Sequence, residues 1–254
     1  MRLNNKVAIV TGASRSIGAS VAACYAREGA KVVVNYRSHA ELAEQVVADI
    51  RGQGGEAFAC YADVSDEADV QAMVAETVKR YGTVDILVNN AAIDPRQSWE
   101  TMAVADWDRV MAVNVRSQFL CSQAVFPHMK AQRYGKIINV SSVTFFTGQR
   151  GYVHYVASKG AIVGFTRALA REIGEHGISV NCITPGAIWT ETEAEKVGPS
   201  VSAEALDSQM AGLQSVPRRG VAGDLEGAFL LFASEAGDFI TGQTLNVDGG
   251  WMMH

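Results

Sequence analysis

The chain has 254 residues, of which 48% are hydrophobic and 19% charged, a balance typical of a folded protein and unlike that of extensively disordered chains. Its 22 basic and 27 acidic residues give a net charge of -5, with no basic run, so nucleic acid is not an expected partner. No apolar stretch approaches the ~18 residues that span a bilayer, and no signal peptide precedes the first strand, so we expect a cytoplasmic protein without a membrane partner.

The cysteines are widely separated along the chain. None belongs to a Cys-x-x-Cys pair, and none has a histidine at metal-ligand spacing. We therefore expect buried free thiols in a reducing compartment and predict no metal site. The residues concerned are Cys24, Cys60, Cys121 and Cys182.

Apolar strands alternate with helical patterns along the whole chain. The predicted strands cover residues 7–10, 31–36, 56–61, 84–88, 136–140, 178–183 and 244–247. The predicted helices cover residues 17–28, 40–51, a segment after Asp66 as N-cap, 106–129 with Asp106 as N-cap, 153–173 and 227–234. Continuous apolar strands joined by helices form parallel sheets covered on both faces. The pattern predicts a single-domain α/β fold, a doubly wound Rossmann-type parallel sheet of about seven strands.

One long irregular stretch interrupts this alternation, at about residues 186–217. Loops of that length in a compact domain are usually functional. We predict that this segment is a lid over the substrate.

The first predicted strand runs directly into a turn that contains Gly12 and Gly18. A helix N-terminus attracts phosphate through its free amide groups, and glycines allow a pyrophosphate to approach the backbone. The turn therefore suggests a dinucleotide site, although strand-to-helix turns with glycine also occur for purely structural reasons.

The end of the second strand indicates which dinucleotide is bound. An acidic residue there would bind the ribose hydroxyls of NAD, but the sequence has Tyr36 and Arg37 instead. Arg15 lies in the glycine turn, and two guanidinium groups could bind a 2′-phosphate. We therefore predict NADP(H) as cofactor; the alternative is that both arginines are solvated surface residues.

The strongest chemical signal lies at Ser142, Tyr155 and Lys159. A spacing of four residues places Tyr155 and Lys159 on one helical face. A phenol titrates near ~10 and exchanges protons near neutral pH only if its ionised form is favoured, as an adjacent ammonium group would do. Ser142, at the end of the fifth strand, could donate a hydrogen bond to a substrate oxygen. These residues predict proton transfer at a carbonyl or alcohol substrate.

Together with further motifs in the same order, these residues resemble the short-chain dehydrogenase/reductase family over essentially the whole chain. The matching motifs are Thr11-Gly12, Asn89-Asn90-Ala91-Ala92, Asn114, Ser142, Tyr155-Val156-Ala157-Ser158-Lys159, Pro185-Gly186, Ile240-Thr241-Gly242-Gln243 and Asp248-Gly249-Gly250. The resemblance implies that Tyr155 is the general acid/base and that Lys159 binds the nicotinamide ribose and lowers the tyrosine pKa. It also implies that Ser142 polarises the carbonyl. Asn114 would hold a water that links Lys159 to solvent.

The resemblance also implies the cofactor contacts. Asp63 and Val64 would contact the adenine, Asn90 the inner ribose, and Ile188 and Thr190 the nicotinamide amide. The complete predicted cofactor set is Gly12, Ser14, Arg15, Ser16, Ile17, Gly18, Tyr36, Arg37, Asp63, Val64, Asn90, Ala91, Tyr155, Lys159, Pro185, Gly186, Ile188 and Thr190.

Two positions depart from the family pattern. Ser16 replaces the middle glycine of the turn, and Ala92 replaces the glycine that ends the Asn-Asn-Ala-Gly motif. The Ser16 hydroxyl would lie beside the pyrophosphate, where it either donates a hydrogen bond or hinders close approach.

The substrate pocket is expected to be apolar and partly aromatic. Its predicted lining residues are Ile93, Val143, Phe145, Phe146, Tyr152, His154, Trp189, Met210 and Leu213. Residues 213–218 and 240–254 are similar to the branch that includes phenylethanol and pyridoxal dehydrogenases. We therefore expect NADP(H)-dependent reduction of a bulky or aryl ketone to a secondary alcohol, and the reverse reaction.

Three alternatives stay open at this point. A 3-oxoacyl-carrier-protein reductase must dock an acidic protein, which Arg133 suits and Glu175-His176 does not. A sugar or polyol dehydrogenase would need a more polar pocket. A catalytically silent, cofactor-sensing protein would resemble the family but often lacks Tyr155 or Lys159. The resemblance further implies a homotetramer, paired through helices 106–129 and 153–173.

Overall fold

A computed structural model describes residues 1–197, 207–208 and 210–253 of the chain. Residues 198–206 and 209, which belong to the predicted lid, lie outside the described residues. Within the described part of the chain, no helix is long and apolar enough to cross a membrane, and no group of three or more His, Cys, Asp or Glu side chains could hold a metal ion.

The main sheet has seven parallel strands in the order β3-β2-β1-β4-β5-β6-β9. A separate parallel pair consists of β7 (Ile188–Trp189) and β8 (Gly220–Val221). The strands of the main sheet are β1 (Val7–Val10), β2 (Lys31–Tyr36), β3 (Glu56–Tyr61), β4 (Ile86–Asn89), β5 (Gly135–Val140), β6 (Ile178–Pro185) and β9 (Thr244–Val247). The predicted doubly wound α/β fold is confirmed.

Helices cover both faces of this sheet. The described part of the chain includes the helices α1 (Ser16–Arg27), α2 (Ala40–Gly52), α3 (Glu67–Tyr81), α4 (Val104–Met111), α5 (Ser117–Gln132), α6 (Thr144–Thr147), α7 (Val153–Ile173), α8 (Glu191–Val197) and α9 (Gly223–Ala233). Apolar residues of α1, α2 and α9 form one core cluster, and those of α3, α5 and α7 form another on the opposite face. Because both faces are buried, the central strands are apolar throughout, with Ile9 and Val10 fully buried in β1.

The order of the strands reverses between β1 and β4. Strand β1 pairs with β2 on one side and with β4 on the other, both in parallel. In open α/β sheets the crevice at the carboxyl ends of the strands, at such a reversal, is the usual ligand site. The turn after β1 and the loop after β4 therefore meet at this crevice.

Five predicted element starts differ from the structure; among them, α1 begins at 16 instead of 17 and β5 at 135 instead of 136. Asp66 caps α3 as predicted, since its carboxylate accepts a hydrogen bond from the Asp69 backbone N–H at 3.0 Å. Asp106, in contrast, is the third residue of α4, which begins at Val104, and its Oδ2 accepts from the Ala103 backbone N–H at 3.4 Å. Strand β4 begins at 86 instead of 84, and α9 begins at 223 instead of 227.

The helix predicted over 106–129 is also divided. Between α4 and α5 the backbone forms a π-helical segment, Ala112–Arg116, and α5 then continues to residue 132. Such π segments inside α-helices occur frequently at functional sites. This one contains Asn114, one of the predicted catalytic residues.

Candidate active site

Two elements bring Ser142, Tyr155 and Lys159 together at the carboxyl edge of the sheet. Ser142 follows β5, whereas Tyr155 and Lys159 lie one turn apart on α7. The Ser141 hydroxyl donates a hydrogen bond to the Lys159 carbonyl oxygen at 2.7 Å, which joins the strand end to the helix. Three of the four predicted catalytic side chains, those of Ser142, Tyr155 and Lys159, line one cavity of about 500 Å³, and Asn114 is not among its lining residues.

Lys159 is buried, with only 2% of its surface exposed. Its ammonium group donates a hydrogen bond to the Val140 carbonyl oxygen at 2.9 Å and lies 5.4 Å from the centre of the Tyr155 ring. Burial lowers the pKa of Lys159 to about 8, because the charged ammonium loses its hydration.

Burial raises the pKa of Tyr155 above its ordinary value, and the hydrogen bond with Ser142 acts in the opposite direction. The negative charges of Asp94 and Glu193 raise it further. The net shift is therefore opposite to the lowering expected from the adjacent ammonium, because desolvation of the phenolate dominates. At neutral pH Tyr155 is protonated, which is the form that can donate a proton to a carbonyl oxygen.

Asn114 is completely buried and connects the loop after β4 to α7. Its Oδ1 accepts from the Ile93 backbone N–H at 2.8 Å, and its Nδ2 donates to the Ile93 carbonyl oxygen at 2.9 Å and to the Ser158 hydroxyl at 3.0 Å. These bonds hold the loop beside the catalytic helix. The predicted water relay through Asn114 stays a prediction.

A groove of about 390 Å³ extends from this cavity along the carboxyl ends of β1, β2 and β3. Ile17, Asn90 and Thr190 line both the groove and the cavity, so the two are continuous. The predicted cofactor residues in the groove are Gly12, Ser14, Arg15, Ser16, Ile17, Gly18, Tyr36, Arg37, Asp63, Val64, Asn90, Ala91 and Thr190. The remaining ones, Tyr155, Lys159, Pro185, Gly186 and Ile188, line the cavity.

The glycine turn leaves no room for larger side chains. Gly12 has a φ of +60°, and a Cβ on it would lie 3.0 Å from the Ala91 Cα. A Cβ on Gly18 would lie 2.4 Å from the Gly12 carbonyl oxygen. The two glycines therefore let the turn pack closely against Asn90 and Ala91 of the loop after β4.

Two buried polar residues hold the turn in place: Asn35, which the sequence analysis missed, and Thr11, which it named only as part of a motif. The Asn35 side-chain oxygen accepts from the Gly12 backbone N–H at 3.1 Å, and its amide nitrogen donates to the Ala62 carbonyl oxygen at 3.2 Å. The Thr11 hydroxyl accepts from the Asn90 and Ala91 backbone N–H groups at 2.9 and 3.0 Å. The sequence feature that could have identified them is a polar side chain at the end of an otherwise apolar strand.

The two arginines of the groove are paired with carboxylates. Arg15 lies 3.0 Å from Glu195, and Arg37 lies 3.5 Å from Asp63. Burial raises the pKa of Asp63, but hydrogen bonds from Ser65 and the charge of Arg37 outweigh it and leave the pKa below its usual value. Both arginines line the groove, beside the carboxyl end of β2.

The cavity beside Tyr155 is more polar than the sequence analysis predicted. Val143, Tyr152 and Met210 line it as expected, but it also contains four charged side chains. These are Asp94, Arg96, Glu193 and Arg219.

The other predicted pocket residues do not line this cavity. Ile93 lines only the groove, Phe146 a different cavity, and Phe145 packs on Phe146 with ring centres 4.8 Å apart. His154 is fully buried, and Leu213 is 52% exposed. Trp189 has its ring 5.2 Å from the Arg219 guanidinium carbon and supports that arginine instead. An apolar pocket was thus the wrong expectation, because charged residues enter from the loop after β4, from α8 and from the segment before β8.

Comparison with known proteins agrees with this geometry. The model of the short chain dehydrogenase family matches residues 6–199. The 3-oxoacyl-[acyl-carrier-protein] reductase FabG of Staphylococcus aureus is 40% identical over 249 residues, which cover 98% of each chain. A 3-oxoacyl-[acyl-carrier-protein] reductase of Synechocystis is 38% identical over 254 residues, 99% of this chain and 98% of the other.

Solved structures of dehydrogenases also superpose on this chain. A candidate gluconate dehydrogenase from Agrobacterium tumefaciens superposes with a TM-score of 0.91 at 32% identity, covering 98% of this chain and 96% of the other. A double mutant of a Serratia marcescens short-chain dehydrogenase/reductase gives 0.89 at 37% identity, covering 99% of each chain. The protein is an oxidoreductase by class. It belongs to the short-chain dehydrogenase/reductase family.

Proposed function

We propose that the protein is an NADP(H)-dependent carbonyl reductase that interconverts a ketone and a secondary alcohol. The observation that carries this proposal is the continuity of the glycine-turn groove with the cavity that contains Ser142, Tyr155 and Lys159. A bound nicotinamide ring would supply or accept the hydride. Tyr155 would donate its proton to the carbonyl oxygen, which the Ser142 hydroxyl would hold by a hydrogen bond.

Lys159 has two tasks in this proposal. Its ammonium group is fixed by Val140 within 5.4 Å of the phenol ring centre, so it would stabilise negative charge on Tyr155. It also lines the cavity that adjoins the groove, where the cofactor ribose would lie. Asn114 would maintain this arrangement by holding the loop after β4 against α7.

The preference for NADP(H) rests on Arg15 and Arg37. Both guanidinium groups line the groove, and β2 ends in Tyr36 without an acid. A 2′-phosphate could exchange for the carboxylates that now pair with them. Steady-state kinetics with NADPH and NADH tests this preference, and a clear preference for NADH would refute it.

Tyr155→Phe tests the catalytic proposal. It removes only the hydroxyl, so we expect reduction of a ketone to fall about 10²–10⁴-fold while NADPH binding stays within about twofold. Tyr134→Phe, on the far side of the sheet, is the matched control and should keep full activity. Substantial turnover by Tyr155→Phe would overturn the role given to this residue.

A second candidate is reduction of a 3-oxoacyl group on a carrier protein, since the curated relatives bear that name at 38–40% identity. Basic residues beside α5 and α7 would have to dock the carrier. Arg133 ends α5, but it donates to the Glu175 carbonyl oxygen at 3.1 Å, and His176 lies 3.6 Å from the Glu175 carboxylate. This surface therefore carries an acid as well as bases.

Two forms of one substrate separate these candidates. The same 3-oxoacyl group is offered on acyl carrier protein and on N-acetylcysteamine, a small thiol. A carrier-dependent enzyme would show a much lower KM for the protein-bound form, and Arg133→Ala would remove that advantage. Equal kcat/KM values would favour a small-ketone reductase. The polar cavity also justifies including sugar acids and polyols in the panel.

We also propose a homotetramer. Apolar side chains are exposed on α4, α5 and α7, at Val104, Phe119 and Val153, and Phe239 is fully exposed before β9. Such residues suit contact between subunits. Size-exclusion chromatography with light scattering tests this: a mass of about four chains is expected, and a monomer would refute it.

A further inference from the structure

Two guanidinium groups line the cavity that contains Tyr155. Arg96 lies in the loop after β4, and Arg219 comes immediately before β8, so separate segments bring them together. Arginine side chains are rarely buried without a charged partner, and buried ones mark sites where anions bind. The Arg219 side chain is only 11% exposed.

Arg96 is linked to the candidate catalytic residue through one aromatic ring. Its Nε donates to the Tyr152 hydroxyl at 2.7 Å, and the rings of Tyr152 and Tyr155 have centres 5.5 Å apart. The guanidinium group is therefore held near the place where a substrate carbonyl would meet Tyr155.

Arg219 uses few of its five hydrogen-bond donors. Its guanidinium lies against the Trp189 ring, and its Nη2 lies 3.6 Å from Glu193, which is longer than a hydrogen bond. Among the described residues its buried Nε has no hydrogen-bond partner. A buried donor without an acceptor is costly, so this arginine lacks an anion that it could bind closely.

The Glu193 carboxylate shows where such an anion is favoured. It lies beside Arg219, and its charge also acts on Arg96, where the Tyr152 hydrogen bond and then the acids Glu193 and Asp94 raise the pKa. A carboxylate on α8 thus lies beside Arg219, in the cavity that both arginines line. Without it, Arg96, Arg219 and the Lys159 ammonium exceed Asp94 by two positive charges, which is enough for a monoanion.

We propose that the substrate is a ketone that also carries a carboxylate, which Arg219 and Arg96 bind in exchange for Glu193. This inference rests on the proposed carbonyl reductase function. It names the class of substrate that the cavity selects. Neutral ketones of the same size would leave both guanidinium groups paired only with protein acids.

The test compares 3-, 4- and 5-oxo carboxylic acids with their methyl esters, which differ mainly in charge. With wild-type protein and NADPH, at least one acid should exceed its ester in kcat/KM by about ten- to hundredfold, as a charge-assisted pair would provide. Arg219→Gln should lower kcat/KM for the acid much more than for the ester, so that the acid loses this advantage. Arg218→Gln, next in sequence but paired with Asp224 at 2.6 Å, is the matched control.

A second variant keeps the test decisive if Arg219→Gln folds poorly. Glu193→Gln removes the competing carboxylate, so the ratio of kcat/KM for the acid to kcat/KM for the ester should rise above the wild-type ratio. If wild-type protein reduces the esters with the same kcat/KM as the acids, the inference is overturned, but the reductase function still stands. If neither acids nor esters are reduced, the reductase function fails. Binding of the acid, measured by calorimetry for wild type and Arg219→Gln, then decides whether the cavity selects carboxylates: binding that is lost in the variant supports the inference.

Discussion

The guanidinium of Arg15, in the turn after β1, lies 3.0 Å from the carboxylate of Glu195 on α8. Next in the chain, the Ser16 hydroxyl donates a hydrogen bond to the Glu191 carboxylate, also on α8, at 3.0 Å. Both acids come from the start of the predicted lid, and both contact groups that we propose to bind cofactor phosphates. Since anions of similar charge compete for the same donors, cofactor binding should require these carboxylates to leave.

Glu195→Gln should therefore strengthen NADPH binding. The pair is largely exposed, and such pairs are worth about 0.2–1 kcal/mol, so we expect the Kd of NADPH to fall by about 1.5- to 5-fold. The Kd of NADH should not change, because it has no 2′-phosphate to compete for Arg15. Fluorescence titration measures both constants, with Glu172→Gln on α7 as the control for a lost surface charge. Weaker NADPH binding by Glu195→Gln would contradict the competition.

Ser16 has a φ of +56°, a left-handed conformation that costs residues with a Cβ about 1–2 kcal/mol. Glycine avoids this cost, whereas alanine retains it and also lacks the hydroxyl. Ser16→Gly should thus be more stable than Ser16→Ala by about 1 kcal/mol, measured by urea unfolding. NADPH titration of the same pair shows whether the hydroxyl helps binding: tighter binding by Ser16→Gly than by wild type would identify the serine as an obstacle. Equal stabilities of the two variants would speak against strain at this position.

The raised pKa of Tyr155 sets the expected pH dependence. Reduction needs the protonated phenol and should be maintained at neutral pH, whereas oxidation of the alcohol needs the phenolate and should rise with pH. The Ser142 hydrogen bond lowers this pKa, so Ser142→Ala should shift the rise of the oxidation rate to higher pH. It should also reduce kcat by about 10²–10³-fold. Ser142→Thr, which keeps the hydroxyl, should restore the wild-type profile; an unshifted profile for Ser142→Ala would disprove the coupling.

Gly18→Ala should damage the cofactor groove. Its Cβ would lie 2.4 Å from the Gly12 carbonyl oxygen and 2.7 Å from the Asn90 amide nitrogen, so the turn must move. We expect the free energy of unfolding to fall by about 1–3 kcal/mol and NADPH binding to weaken at least tenfold. Gly227→Ala is the control: Gly227 lies on the exposed face of α9, a Cβ there would meet no atom within 4 Å, and the variant should stabilise the protein by about 0.5–1 kcal/mol. Unimpaired NADPH binding by Gly18→Ala would argue against the groove as cofactor site.

Local patterns in the sequence predicted most of the elements correctly. β2 and α7 have the predicted bounds at both ends, and Asp66 caps α3. These features depend on apolar periodicity and on capping groups a few residues apart, which are visible in a short window. Asp106 was misplaced because a short acidic side chain in the first helical turn resembles an N-cap.

The π segment at 112–116 could not be predicted in the same way. Asn114 bonds to Ile93 and Ser158, which are 21 and 44 residues away in the chain. The distortion brings one side chain to two partners at once, and neither partner is indicated by the sequence around it. Likewise, the supports provided by Thr11 and Asn35 depend on which strands become neighbours.

The sequence by itself determined the strand-helix alternation, the glycine turn and the spacing of Tyr155 and Lys159, because each depends on residues close together in the chain. Only the tertiary structure decided the polarity of the cavity and the direction of the Tyr155 pKa shift. Arg96 and Arg219 are 123 positions apart in the numbering and meet through folding alone. Burial and the charges of Asp94 and Glu193 act through space, so their effect on the phenol depends on distances that only packing sets.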